Sequence, residues 1–129
     1  MSVRRRIAAA EGVPAVEAVL AGADDRTTLA TASRYLLEQL AEEAEGHTVE
    51  VRVPPFGAVQ AVPGPRHTRG TPPNVIETDA ATWIALATGG LAWDVAVAGA
   101  RVTASGSRAT LAEHLPLRWG LADQGTMEP

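Results

Sequence analysis

Cysteine is missing from the 129 residues. That excludes disulfides, thiol catalysis and thiolate metal sites. Lysine is missing as well: all 11 basic residues are arginine, which we read as genomic composition before function. Aromatic side chains are few, namely Tyr35, Phe56, Trp83, Trp93 and Trp119. No apolar run approaches the length of a membrane-spanning helix, so no stable membrane insertion is expected. Positive charge is in short supply, and a formal net charge of -4 disfavours nucleic acid and anionic membranes as partners. Met1 to Arg6 imitates the basic start of a signal peptide, but Glu11, Gly12 and Pro14 interrupt the apolar region that such a peptide needs next. A cytoplasmic location is therefore the expectation. There is no phosphate-cradling glycine loop, nucleophile elbow, zinc-binding HExxH or internal repeat.

What is present suits one folded domain. Hydrophobic residues make up 46% of the chain, enough to build a core at this length. We expect a flexible basic N-terminus over 1–6, a single domain over 7–117, and a partly disordered tail over 118–129. Ile7 to Leu20 reads as a helix broken near Gly12-Val13-Pro14. From Thr27 to Glu45, Leu29, Ala32, Leu36, Leu37, Leu40 and Ala44 recur at helical steps. Asp25 or Thr27 caps that helix and Gly46 stops it. His47 to Val53 alternates as a half-buried strand, ended by Pro54-Pro55. Ala58 to Val62 and Asn74 to Thr78 read as two further strands.

The stretch Thr78 to Leu117 organises the chain. Asp79 caps a short helix bearing Trp83, Leu86 and Ala87, and Gly89-Gly90 ends it. A second short helix holds Trp93, Ala96 and Val97. Arg101 to Ser105 forms a strand, and Gly106-Ser107 opens a last helix with Leu111 and Leu115 on one face. These elements add up to an α+β fold: a twisted, mostly antiparallel sheet of about four or five strands, with helices on one face.

The pattern Thr88-Gly89-Gly90-Leu91, then Ala96, then Arg101 through Gly106, resembles the C-terminal half of the type 2-like sterol carrier protein family. With the upstream RVPPFGAVQ and GPRHTRGTPPNVIETD segments, the chain is most similar to small actinobacterial sterol carrier protein orthologs, over roughly residues 8 to 117. The resemblance implies a hydrophobic cavity between sheet and helices. It implies binding or transfer of a fatty acid, an acyl-CoA or a sterol-like molecule, with no cofactor and no catalytic residue. Two departures stand out. The family places Gly directly before the basic residue of the strand, where this chain has Ala100, so the turn is expected to shift by one residue. The family's basic residue after the first Gly is replaced by Gly90, which removes a charge near one entrance.

On that resemblance the cavity wall would be Leu36, Leu40, Phe56, Trp83, Leu86, Leu91, Trp93, Val97, Leu111 and Leu115. Composition alone does not separate such a wall from an ordinary core. Ala85, Ala87, Ala92, Ala96 and Ala98 leave volume for a ligand. Burying about twelve methylenes contributes roughly 10 kcal/mol gross. Association costs of about 4–15 kcal/mol offset much of it, giving the modest affinity of a carrier. The polar candidate is the loop Arg66 to Pro73, where Arg66, His67 and Arg69 could contact a carboxylate or phosphate. Those arginines could equally pair with Glu50, Glu77 or Asp79. His47, His67 and His114 show no metal-ligand spacing. The competing readings are an accessory domain with a protein partner, and a small enzyme using His67 as acid or base.

Overall fold

Val49, Val51 and Val53 are fully buried, while Arg52 between them is exposed. This period-two pattern marks β1 (Val49–Val53) as a strand with one face in the core. The computed structural model describes residues 6–65 and 73–120. Along the chain, α1 (Ala9–Leu20) and α2 (Arg26–Glu43) precede β1 and β2 (Gly57–Ala61). Then come β3 (Asn74–Thr78), α3 (Ala80–Thr88), α4 (Trp93–Ala98) and β4 (Val102–Ser105). The four strands form one open sheet in the order β2-β1-β3-β4. β1 runs antiparallel to β2 and parallel to β3, and β3 runs antiparallel to β4. The sheet is mixed, with two of its three pairings antiparallel, and the fold is a two-layer α+β arrangement.

The register puts like with like. Val51 stands opposite Val59 and Ile76 on the inner face. Arg52 stands opposite Ala58 and Glu77 on the outer face. Arg52 Nε donates to Glu50 Oε2 at 3.2 Å, and this bond with the Glu50 charge holds the guanidinium's pKa above its ordinary value. The inner face is covered by α2 and α3, whose Tyr35, Leu36, Leu40, Trp83, Ile84 and Leu86 are essentially inaccessible.

The local signals explain most element ends. Asp25 caps α2 by accepting the Thr28 N–H at 3.1 Å, and Asp79 caps α3 by accepting the Thr82 N–H at 2.8 Å. Gly89, with φ 90°, ends α3. Four expectations need correction. α1 is continuous through Gly12-Val13-Pro14 instead of broken there. Pro14 removes one helical donor, but Ala10, whose carbonyl loses it, is exposed to water. α2 stops at Glu43, short of Gly46, because the Ala44 carbonyl accepts the Val62 N–H at 2.6 Å and draws the chain away. The segment after Gly106 forms turns and no helix: Pro116 disfavours helical backbone at Leu115, and the few residues before it cannot sustain an isolated helix. The turn before β4 is not displaced either, since Ala100 itself takes the left-handed backbone at φ 60° while Gly99 stays at φ -86°.

The C-terminal segment still packs on the body. Leu117 N–H donates to Ala87 O at 2.9 Å, and Tyr35 Oη donates to Trp119 O at 3.0 Å. Residues 1–5 and 121–129, which hold most of the basic start and of the expected tail, lie outside the described residues, as does Leu121.

Candidate ligand-binding site

An apolar candidate site grows out of the corner between α3 and α4. After Gly89 reverses the chain, Gly90 N–H and Leu91 N–H both reach back to Ala85 O, at 2.8 and 3.2 Å. That brings Leu91, Ala92 and Trp93 beside the end of α3, where Leu86 sits. Across from them runs the irregular C-terminal segment. The Leu117 to Ala87 bond holds it there, and Pro116 lies so near Gly89 that an added Cβ would come within 3.4 Å of the proline Cβ. The result is a half-open pocket of about 570 Å³ lined by Leu86, Gly89, Leu91, Ala92, Trp93, Asp94, Ala112, Leu115 and Pro116. Small-molecule pockets commonly occupy about 300–1,000 Å³. Among the described residues, Asp94 is the one ionisable side chain of this wall. Its Oδ1 accepts the Val95 N–H at 3.1 Å.

Of the residues expected to line a cavity, the structure brings four together here: Leu86, Leu91, Trp93 and Leu115. Leu36, Leu40, Trp83 and Leu111 are each 0% exposed and stand in the packed core, where Trp83 Nε1 donates to Ser33 O at 3.2 Å. Val97 is 41% exposed on α4. Phe56 lines a different groove, beside α2. Arg66, His67 and Arg69 lie outside the described residues. Asp94, Ala112 and Pro116 join the wall without any sequence signal that marks them. Ala92 is one of the small residues that leave volume, and the nearby Gly-Gly turn is the available signal for a corner. Nothing in a local pattern reveals that Ala112 and Pro116 fold back across α3.

The wall offers, among the described residues, no acid–base pair, no nucleophile beside a base and no cationic cradle. Among the described residues, no group of three or more His, Cys, Asp and Glu side chains is placed to hold a metal. No described helix is long and apolar enough to cross a membrane. What this arrangement can do is take apolar surface out of water.

A family model described as bacterial SCP ortholog matches residues 25–117, covering α2 through the C-terminal segment that closes the pocket. The chain belongs to this sterol-carrier-like bacterial family. Among curated proteins, none matches the chain. The matched region runs from just before α2 to Leu117, and α1 lies before it.

Proposed function

We propose that this bacterial SCP ortholog is a non-catalytic binder, and by extension a carrier, of an apolar small molecule held in the α3–α4 corner pocket. The observation that carries the reading is the convergence of Leu86, Leu91, Trp93 and Leu115 on one half-open space of about 570 Å³. The family supports a hydrophobic ligand. A half-open pocket suits exchange: the ligand leaves without unfolding of the core, and the opposing terms of burial and association keep the affinity modest.

Two measurements test this. Native mass spectrometry of freshly purified protein, run beside an organic extract, should reveal a bound mass that extracts as a lipid. The neutral probe N-phenyl-1-naphthylamine should bind and change tryptophan emission, and Trp93→Phe should remove most of that change, since Trp83 is sealed in the core and Trp119 is not among the residues that line the pocket. A clean apo mass with no probe binding overturns the reading. The accessory-domain reading would then stand on Val95 and Val97, 58% and 41% exposed on α4.

A further inference from the structure

On another part of the surface, α2 and the turn entering β2 enclose a groove of about 660 Å³ that shares no lining residue with the α3–α4 pocket. Its apolar floor is Ile7, Leu37, Phe56 and Val59. Its charged wall is Arg6, Arg34 and Glu38. We propose that this groove is a second binding site, for a ligand that joins a carboxylate or phosphate to an apolar body, with Arg34 as the residue that takes the oxyanion.

Three observations support the assignment. First, Arg34 is held in place: its Nε donates to Phe56 O at 2.7 Å, which fixes the guanidinium plane against the floor of the groove. Its two terminal nitrogens take no partner among the described residues. A guanidinium fixed in this way presents paired donors with the spacing of a carboxylate or phosphate edge, and prior immobilisation lowers the entropic cost of binding. Second, the acid in the wall already has a task. Glu38 Oε1 accepts the backbone N–H groups of Arg6 and Ile7, both at 3.1 Å, and so pins the start of the described chain. Third, a further guanidinium, that of Arg26, stands 5.5 Å from the centroid of the Phe56 ring. The groove therefore offers cationic groups over an apolar floor. The α3–α4 pocket has the opposite character, with Asp94 as its one ionisable group among the described residues. An anionic amphiphile is directed to the α2 groove.

The Arg34 to Phe56 bond could serve only to hold the turn in shape, so the test reads charge discrimination as well as affinity. The full chain, labelled with ¹⁵N, is titrated with octyl phosphate, octanoate, octylamine and inorganic phosphate, and the amide signals of Ile7, Leu37 and Val59 are followed. Both anionic amphiphiles should shift these signals, and octylamine should bind at least about tenfold more weakly. Arg34→Gln should weaken octyl phosphate by about tenfold or more, the range expected of lost charge-assisted hydrogen bonds. Arg34→Lys should fall between. Should Arg34→Gln fail to fold, Arg6→Glu reverses a charge on the exposed wall without touching the core, and it should weaken the anions while strengthening octylamine. Octylamine binding as tightly as octanoate overturns the proposal. So does unchanged octyl phosphate affinity in folded Arg34→Gln, or shifts confined to the α3–α4 pocket. Inorganic phosphate binding as tightly as octyl phosphate would show that the floor takes no part, and would replace the amphiphile by a free oxyanion.

Discussion

Ala100 carries a conformation made for glycine. At φ 60° it is the left-handed residue that closes α4, with Arg101 N–H donating to Ala96 O at 2.9 Å and Ala100 N–H to Val97 O at 3.1 Å. These are the two bonds of a Schellman ending. A left-handed alanine costs about 1–2 kcal/mol, and replacing it with glycine loosens the unfolded chain by about 0.4–1 kcal/mol. Ala100→Gly should therefore stabilise the protein by roughly 0.8 kcal/mol, the difference of those terms. A rise in urea midpoint at unchanged slope is the expected reading; a fall would show that the backbone strain is not released. Gly12 is the reverse case. A Cβ there would lie 2.2 Å from two ring carbons of Tyr35, whose side chain is fully buried. Gly12→Ala forces the ring and α1 apart, and overpacking of this kind costs about 1–3 kcal/mol. Thermal unfolding should drop by several degrees, and Tyr35→Leu in the same chain should recover part of the loss. These two residues show why some of the structure is hidden in the sequence. Gly12 looks like a helix breaker because its reason, the ring of Tyr35, lies more than twenty positions away. Ala100 gives no sign of positive φ because alanine rarely adopts it.

Elements whose ends are set by local chemistry are legible. Asp25 and Asp79 cap α2 and α3 as their positions suggest, and β3 spans Asn74–Thr78 as its pattern predicts. The segment around Leu111 and Leu115 is not, because a four-residue spacing of leucines also fits a turn that buries both side chains in different places. Leu111 goes to the core and Leu115 to the pocket. The α2 cap has a measurable pH signature. Hydrogen bonds from the Thr28 side chain and backbone hold the Asp25 carboxyl below its ordinary pKa of 3.8. A depressed folded pKa contributes stability that is fully present above the unfolded value and is lost as pH falls through the folded one. Stability should thus decline below about pH 4 in part through this group. Asparagine caps a helix about as well as aspartate without titrating, so Asp25→Asn should leave the pH 7 urea midpoint nearly unchanged and reduce its fall between pH 5 and pH 3. An equal fall in both proteins would assign the acid sensitivity elsewhere.

At the scale of the whole molecule, the layer order is readable and the α3–α4 pocket is not. Side chains that fill a core and side chains that line a cavity share one composition. Leu36, Leu40, Trp83 and Leu111 go to the first, and Leu86, Leu91, Trp93 and Leu115 border the second, according to how the chain folds back after Gly106. The same long-range closure decides which part of the chain can fold alone. The matched family segment starts at residue 25, after α1. Yet α1 buries Val13 and Val16 against the core, at 2% and 0% exposure, and covers the ring of Tyr35 through Gly12. Burying two valines stabilises by about 1.5–3 kcal/mol each. That is a large part of the roughly 5–15 kcal/mol available to a domain. Tyr35 also ties α2 to the far end of the chain through its bond to Trp119 O, which lies beyond the matched segment. A chain cut to residues 25–117 should therefore lose cooperative unfolding, or melt at least about 10 °C lower, as a loss of about 3 kcal/mol or more implies for a domain near 100 residues. Circular dichroism melts of the cut and full chains decide it. Equal melting temperatures would mean that the matched segment carries the stability by itself, and that α1 is an addition the fold can lose.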